Sequence, residues 1–381
     1  MASGAVYADD ASLSSLNTKE SNLMTGVHLF CWSNPLHPDL FPGCRKMEAE
    51  IVRMVTTGGT ESILLACLAY RNLALEKGID IPEIVVPVTA HAAFDKAAHL
   101  YGMKIVHIPL DRSLKVDIKS MRRAINPKTC MLVGSCPNFP HGIVDPIEDI
   151  AKMGRQNNVP VHVDACLGGF LVCFMENCGF DLKPFDFRVP GVTSISADTH
   201  KYAFAPKGTS VIMYERSRCG ANIAVCWSTL ISIGRSGYVE KTRKIIEKTR
   251  FIIDRLHKIN GIRVLGEPEV SVVAFTSDVF NVYELCDDMS ASGWNLNALQ
   301  YPAAIHLCVT AKHLQPGVAE KFLDDVERIS AELMKNPTRT SGGIAAMYGT
   351  SQSLPDRSLV VDMASEFLNA CYSLPCWIGD K

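Results

Sequence analysis

Short apolar runs separated by amphipathic stretches recur from residue 83 to residue 214, and this alternation constrains the fold more than any other feature of the chain. Runs at 83–88, 104–108, 130–133, 159–163, 193–197 and 209–214 have the length and β-branched character of buried strands. Helical patterns at 60–76, 92–101 and 117–125, and again after Pro146, lie between them, and Asp117 can accept backbone N–H bonds as an N-cap. Strands that are apolar throughout, alternating with helices, predict an α/β fold with a mostly parallel sheet covered on both faces. Past residue 237 the texture changes. A long helix at 238–259, strands near 270–275 and 305–309, and helices at 318–334 and 359–374 predict a smaller α+β domain. The expected division is an arm over 1–45, broken by Pro35, Pro38 and Pro42, then a large domain over 46–235 and a small C-terminal domain over 236–381. The large domain is expected to open with a helix ending at 51–55.

Charge and cysteine usage narrow the partners. With 38 basic and 40 acidic residues the net charge is −2, so there is no basic surplus to attract a nucleic acid. No apolar run approaches the roughly 20 residues that span a bilayer, and the first 25 residues lack the apolar centre of a secretory leader. The chain alone therefore reads as soluble and cytoplasmic. Its 14 cysteines are scattered singly with no C-x-x-C pair, which suits reduced core thiols. Neither they nor the 11 histidines have metal-ligand spacing, so no metal is expected.

Four segments carry candidate chemistry, and their order matters more than any one of them. Thr56-Thr57-Gly58-Gly59-Thr60-Glu61-Ser62 opens a helix; glycines admit a ligand close to the backbone and free N–H groups favour a phosphate, although an ordinary capped turn would look similar. His91, in Ala90-His91-Ala92-Ala93-Phe94, follows a strand and would face the crevice of an open sheet, although a satisfied core histidine fits there too. Asp164, in Val161-His162-Val163-Asp164-Ala165-Cys166-Leu167-Gly168-Gly169, closes an apolar strand, where an ionised carboxylate needs a partner. Lys201, in Ser196-Ala197-Asp198-Thr199-His200-Lys201-Tyr202, has apolar or small flanks; desolvation is expected to depress its pKa and make it a usable amine nucleophile. A phosphate cradle, a stacking imidazole, an acid for a ring nitrogen and an imine-forming lysine together describe a site for pyridoxal 5'-phosphate.

With those residues in view, the chain resembles the group II pyridoxal phosphate-dependent decarboxylase family of fold type I, on its sphingosine-1-phosphate lyase branch. The stretches that carry the resemblance are Ser3-Gly4-Ala5-Val6-Tyr7, Trp32-Ser33-Asn34-Pro35-Leu36-His37-Pro38-Asp39, Phe139-Pro140-His141-Gly142, and the motifs around His91, Asp164 and Lys201. The resemblance implies a fold type I large domain with a smaller C-terminal domain. It implies that Lys201 bonds the cofactor, Asp164 pairs with its ring nitrogen and His91 stacks on the ring. Gly59, Thr60 and His200 would hold the cofactor phosphate, with Cys166 and Asp198 completing the cofactor-binding set. Tyr7, His37 and Lys207 would hold a substrate phosphate. The substrate implied is a phosphorylated sphingoid base, cleaved between C2 and C3 to a long-chain aldehyde and phosphoethanolamine, in a homodimer of the endoplasmic reticulum membrane. Tyr202 and the released Lys201 are the candidates for the catalytic base.

Two segments of the family have no counterpart, one between Met54 and Thr56 and a larger one where only Glu215-Arg216-Ser217-Arg218-Cys219-Gly220 joins Tyr214 to Ala221. The family's membrane-spanning N-terminus has no counterpart either. Two other readings therefore stay open: an amino acid decarboxylase with the same cofactor, and a catalytically impaired short form acting as a dimerisation partner.

Overall fold

The computed structural model describes residues 55–214 and 223–339. The arm over 1–45, the helix expected at 359–374 and the Glu215–Gly220 connection lie outside the described residues.

A seven-stranded sheet organises the first half of the chain. Its strands are β1 (Val55–Thr56), β2 (Glu83–Pro87), β3 (Lys104–Ile108), β4 (Thr129–Ser135), β5 (Val161–Asp164), β6 (Val192–Ala197) and β7 (Ser210–Tyr214). They lie in the order β1-β7-β6-β5-β4-β2-β3. Strands β2 to β6 run parallel to one another, while β7 is antiparallel to both β6 and β1. The helices between them are α1 (Gly59–Glu76), α2 (Ala93–Tyr101), α3 (Ile118–Ala124), α4 (Ile147–Asn157) and α5 (Gly169–Met175). Asp117 caps α3 as expected, its Oδ1 accepting from the backbone N–H of Lys119 at 2.8 Å. One expectation fails at the start. Val55 is not the end of a helix; it pairs with Val211 in β1, because the edge of β7 offers its backbone a ladder.

Strand pleating divides the core between the two faces of this sheet. Val85, Leu132, Val161, Val163 and Ile195 pack in one apolar cluster, together with Ile150 and Met153 of α4. Their strand neighbours Ile84, Val86, Met131 and Val133 point the other way, into a second cluster with Ile63 and Cys67 of α1 and Phe94 of α2. Two-sided burial is why these strands read as continuous apolar runs.

A long helix, α6 (Ile223–Leu256), follows, broken at Gly234 where φ is 64° and ψ 170°. Beyond it, β8 (Arg263–Val264), β9 (Val272–Thr276), β10 (Asn297–Leu299) and β11 (Ala304–Cys308) form an antiparallel sheet in the order β10-β11-β9-β8. Helices α7 (Val282–Ala291) and α8 (Val318–Lys335) pack with it. α8 buries Phe322, Leu323, Val326, Ile329 and Leu333, a helical stripe, and the Trp294 ring stands edge-on to Phe322 at 5.2 Å.

Candidate active site

Parallel strands bring the four sequence motifs to one edge of the large sheet. His91 lies just past β2, Asp164 ends β5 and Lys201 follows β6, while Gly59 starts α1 immediately after β1. Because β7 runs the opposite way, the turn that leads into it, with Lys207, is at the same edge. This is the carboxyl edge, where open α/β sheets bind ligands.

Lys201 is largely buried, and its Nζ lies 2.9 Å from Oδ2 of Asp198, whose side chain is only 3% exposed. Burial by itself lowers the lysine pKa, but the adjacent Asp198 carboxylate, with smaller contributions from Cys166 and Asp164, turns the net shift upward. The expectation of a depressed pKa is thereby corrected: in this state the amine is an ammonium held by Asp198. Asp198 also faces His200, with 3.7 Å between Oδ2 and Nε2. The His200 Nδ1–H donates to the carbonyl of Thr209, which fixes the ring beside Gly58. Cys166 is buried, and burial pushes its thiol well above the ordinary range, so it is uncharged.

Asp164 is buried at 7% exposure. Its Oδ1 accepts from the backbone N–H of Cys166 at 3.0 Å and from the Ser196 hydroxyl at 3.3 Å. Among the described residues no donor reaches Oδ2. His91 is exposed, and its Nδ1 accepts from the backbone N–H of Ala93 at 3.1 Å. Thr60 and Lys207 are exposed as well. Lys207 sits in a turn closed by the Thr209 hydroxyl donating to Pro206 O at 2.9 Å, with Gly208 at a φ of 92° that only glycine adopts without strain. Tyr7 and His37 lie outside the described residues.

These residues fit pyridoxal 5'-phosphate. A Cβ on Gly59 would meet Asp198 Oδ1 at 2.6 Å and Cys166 Sγ at 2.9 Å, so only glycine lets the start of α1 approach this closely. Asp198 Oδ1, Thr89 Oγ1 and Thr199 Oγ1 are buried at the same edge without a hydrogen-bond partner among the described residues. Unsatisfied buried polar atoms beside a buried amine suit a polar ligand. Among the described residues no group of three His, Cys, Asp or Glu side chains could hold a metal ion.

Tyr202 is not placed as a base. It is fully buried, its hydroxyl donates to Val309 O at 2.8 Å and accepts from the Ser271 hydroxyl at 2.7 Å, and burial drives its pKa upward. Both partners belong to the second half of the chain, so the tyrosine is a strut between the two sheets. Tyr202→Phe should therefore cost about 1–3 kcal/mol of stability for the unpaired groups while leaving cofactor capture intact. A variant with an unchanged melting temperature and no turnover would restore Tyr202 as a catalytic group.

Sequence reading missed a polar stripe behind Asp164. His162, Ser194 and Ser196 are all fully buried, on the sheet face to which β2 and β4 contribute Ile84, Val86, Met131 and Val133. The signal was present as period-two polar residues, His162-Val163-Asp164 and Ser194-Ile195-Ser196, inside otherwise apolar strands.

Comparison with known proteins gives the chain's family and fold. Residues 46–223 match the Aminotransferase class-V family. Sphingosine-1-phosphate lyase 1 of Rattus norvegicus is 49% identical over 413 positions, which cover 98% of this chain and 72% of that protein. Since those positions take in 98% of only 381 residues, roughly 40 of them have no residue here, as shortened internal segments require. The solved sphingosine-1-phosphate lyase of Burkholderia pseudomallei superposes with a TM-score of 0.83 at 34% identity, over 94% of this chain and 88% of that one. Lactobacillus brevis glutamate decarboxylase shares the fold at a TM-score of 0.71 and 18% identity, covering 85% of this chain and 87% of that one. A buried lysine amine and a strand-end carboxylate on this sheet define a pyridoxal phosphate-dependent enzyme of fold type I. The chain belongs to the sphingosine-1-phosphate lyase family.

Proposed function

We propose that this chain is a pyridoxal phosphate-dependent aldehyde-lyase that cleaves a phosphorylated long-chain amino alcohol of the sphingosine 1-phosphate type. The observation that supports it most is identity of 49% over nearly the whole chain to a lyase of that name, in a protein that keeps Lys201 and Asp164 buried at one sheet edge. When bound, the cofactor supplies an electron sink for the pair released as the C2–C3 bond breaks.

The chain's own residues have distinct tasks. Lys201 must lose a proton before it can bond a carbonyl carbon, and Asp198 at 2.9 Å is the acceptor in reach. Asp164 holds a proton at the ring nitrogen, and His91 covers the ring. Gly59, Thr60 and His200 hold the cofactor phosphate, with Cys166 lining the approach. Tyr202's hydroxyl is occupied by Val309 and Ser271, so Lys201 is the group to move the substrate hydroxyl proton. Lys207, with Tyr7 and His37, holds the substrate phosphate. A homodimer and an endoplasmic reticulum setting go with this reading. Among the described residues no helix is long and apolar enough to cross a membrane.

Lys207 separates this reading from an amino acid decarboxylase. Lys207→Ala should weaken binding of the phosphorylated amino alcohol by about 1.5–3 kcal/mol, the worth of a charge-assisted bond. Affinity for the dephosphorylated analogue should change less than about twofold, since that ligand offers the ammonium no anion. Both are read as equilibrium affinities from the cofactor's absorbance. Equal losses for both ligands would remove the phosphate pocket and favour the decarboxylase.

A further inference from the structure

Behind Asp164 a continuous line of hydrogen bonds crosses the sheet to α1. The Tyr70 hydroxyl donates to Ser194 Oγ at 2.8 Å, and Ser194 Oγ lies 2.8 Å from His162 Nδ1. On the other side of the ring, His162 Nε2 is 3.1 Å from Ser196 Oγ, which donates to Asp164 Oδ1 at 3.3 Å. Register sets this up: His162 is opposite Ser194 and Asp164 opposite Ser196, so the four side chains share one face of neighbouring parallel strands.

The direction of the line follows from counting protons. Burial lowers the His162 pKa to about 4, opposed only by Asp164, so the ring is neutral and carries one N–H. Ser196 gives its proton to Asp164 and must accept from the ring, which puts the N–H on Nε2. Nδ1 then accepts from Ser194; at the far end Tyr70 has one proton for two acceptors, Ser194 Oγ at 2.8 Å and Thr193 Oγ1 at 2.6 Å, since Thr193 donates its own to Val161 O. From Ser194 onward every donor therefore points toward the carboxylate, and bonds aligned in this way polarise one another.

Packing alone does not call for such a line. On the same face of the sheet, β2 and β4 are filled by Ile84, Val86, Met131 and Val133. Ser135 of β4 and Ser210 of β7 are also buried and polar on this face, but among the described residues only the side chains of β5 and β6 form a line of hydrogen bonds that ends on Asp164. We propose that His162 is a positioning residue, the centre of a Tyr70–Ser194–His162–Ser196 relay that orients the Asp164 carboxylate toward the cofactor's ring nitrogen. The inference rests on the reading of Asp164 as partner of that nitrogen, and it adds residues that do not touch the cofactor themselves.

A cofactor analogue isolates the effect. In 1-deazapyridoxal 5'-phosphate a carbon replaces the ring nitrogen, so Asp164 has no nitrogen to pair with, while the aldehyde and phosphate are unchanged. Equilibrium affinities for the natural cofactor and the analogue are measured on the full chain, with melting temperature as a control for folding. Ser196→Ala should weaken the natural cofactor about tenfold, one charge-assisted bond, and the analogue less than about twofold. His162→Phe should behave like Ser196→Ala, because its ring has no N–H. His162→Gln should recover most of the lost preference, because its amide can still donate to Ser196. Tyr70→Phe, at the far end, should show the smallest loss. If Ser196→Ala folds and keeps the wild-type preference for the natural cofactor, or loses both ligands equally, the relay has no role beyond packing and the inference is overturned. If the wild-type chain itself binds both compounds equally, the assignment of Asp164 is wrong, and the relay's role falls with it. Ser196→Ala removes a single oxygen, so the comparison does not depend on whether His162→Phe folds.

Discussion

Lys201→Ala abolishes covalent capture of the cofactor: borohydride treatment should leave no pyridoxyl label on the chain, and turnover should fall at least about 1000-fold, or roughly 4 kcal/mol of barrier. The variant also has a structural consequence that the sequence did not suggest. Asp198 is 3% exposed and loses the ammonium 2.9 Å away, so a buried carboxylate is left facing His200 at 3.7 Å. Stranding a buried charge costs about 3 kcal/mol, which should appear as a lower melting temperature. Lys201→Arg is the matching control. Arginine keeps a cation beside Asp198 but has no amine that can bond a carbonyl, so capture should vanish while most of the stability returns. Covalent label persisting in either variant would show that a different lysine bonds the cofactor.

The architecture was legible because burial on both faces leaves a plain mark on strands. Ile84, Val85 and Val86 are all fully buried, two on one face and one on the other, and a run of that kind has few alternatives to a parallel strand. Asp164 and Lys201 stood out for the same reason: each ends or follows such a run, and polar groups there need a purpose. What the sequence obscured depends on where side chains point after a turn. Tyr202 adjoins Lys201 in the chain, yet its hydroxyl reaches Val309 and Ser271 and joins the two sheets. The charge of Lys201 was misjudged because its flanks were read for apolarity. The deciding group, Asp198, lies three residues earlier and is brought to 2.9 Å only by the fold of the Asp198–Lys201 turn. Val55 was read with the helix before it because a two-residue edge strand has no periodicity to recognise. The relay was overlooked because single polar residues within apolar runs look like noise until the strands are placed in register.

Asp164→Asn keeps the shape of the site and removes its charge, and it should lower lyase turnover at least about 100-fold, close to 2.7 kcal/mol of barrier. Geometry argues that the fold survives. The two donors on Asp164, the Cys166 N–H and the Ser196 hydroxyl, both use Oδ1, and an asparagine carbonyl in the same place accepts both. The melting temperature should therefore change little, and any change should not be the cause of the lost rate. The difference falls on the other atom. Oδ2 becomes an NH2 group, which has no charge and no free lone pair with which to hold a ring-nitrogen proton. Without that proton the ring draws electrons less strongly, so the barrier rises where negative charge accumulates, while the amine chemistry of Lys201 is untouched. At saturating cofactor, borohydride labelling should therefore remain near wild type in Asp164→Asn although it disappears in Lys201→Ala. Two variants at one sheet edge would then separate attachment of the cofactor from activation of its ring. Near-normal turnover in Asp164→Asn would reduce Asp164 to a structural carboxylate that ties β5 to β6 through Ser196.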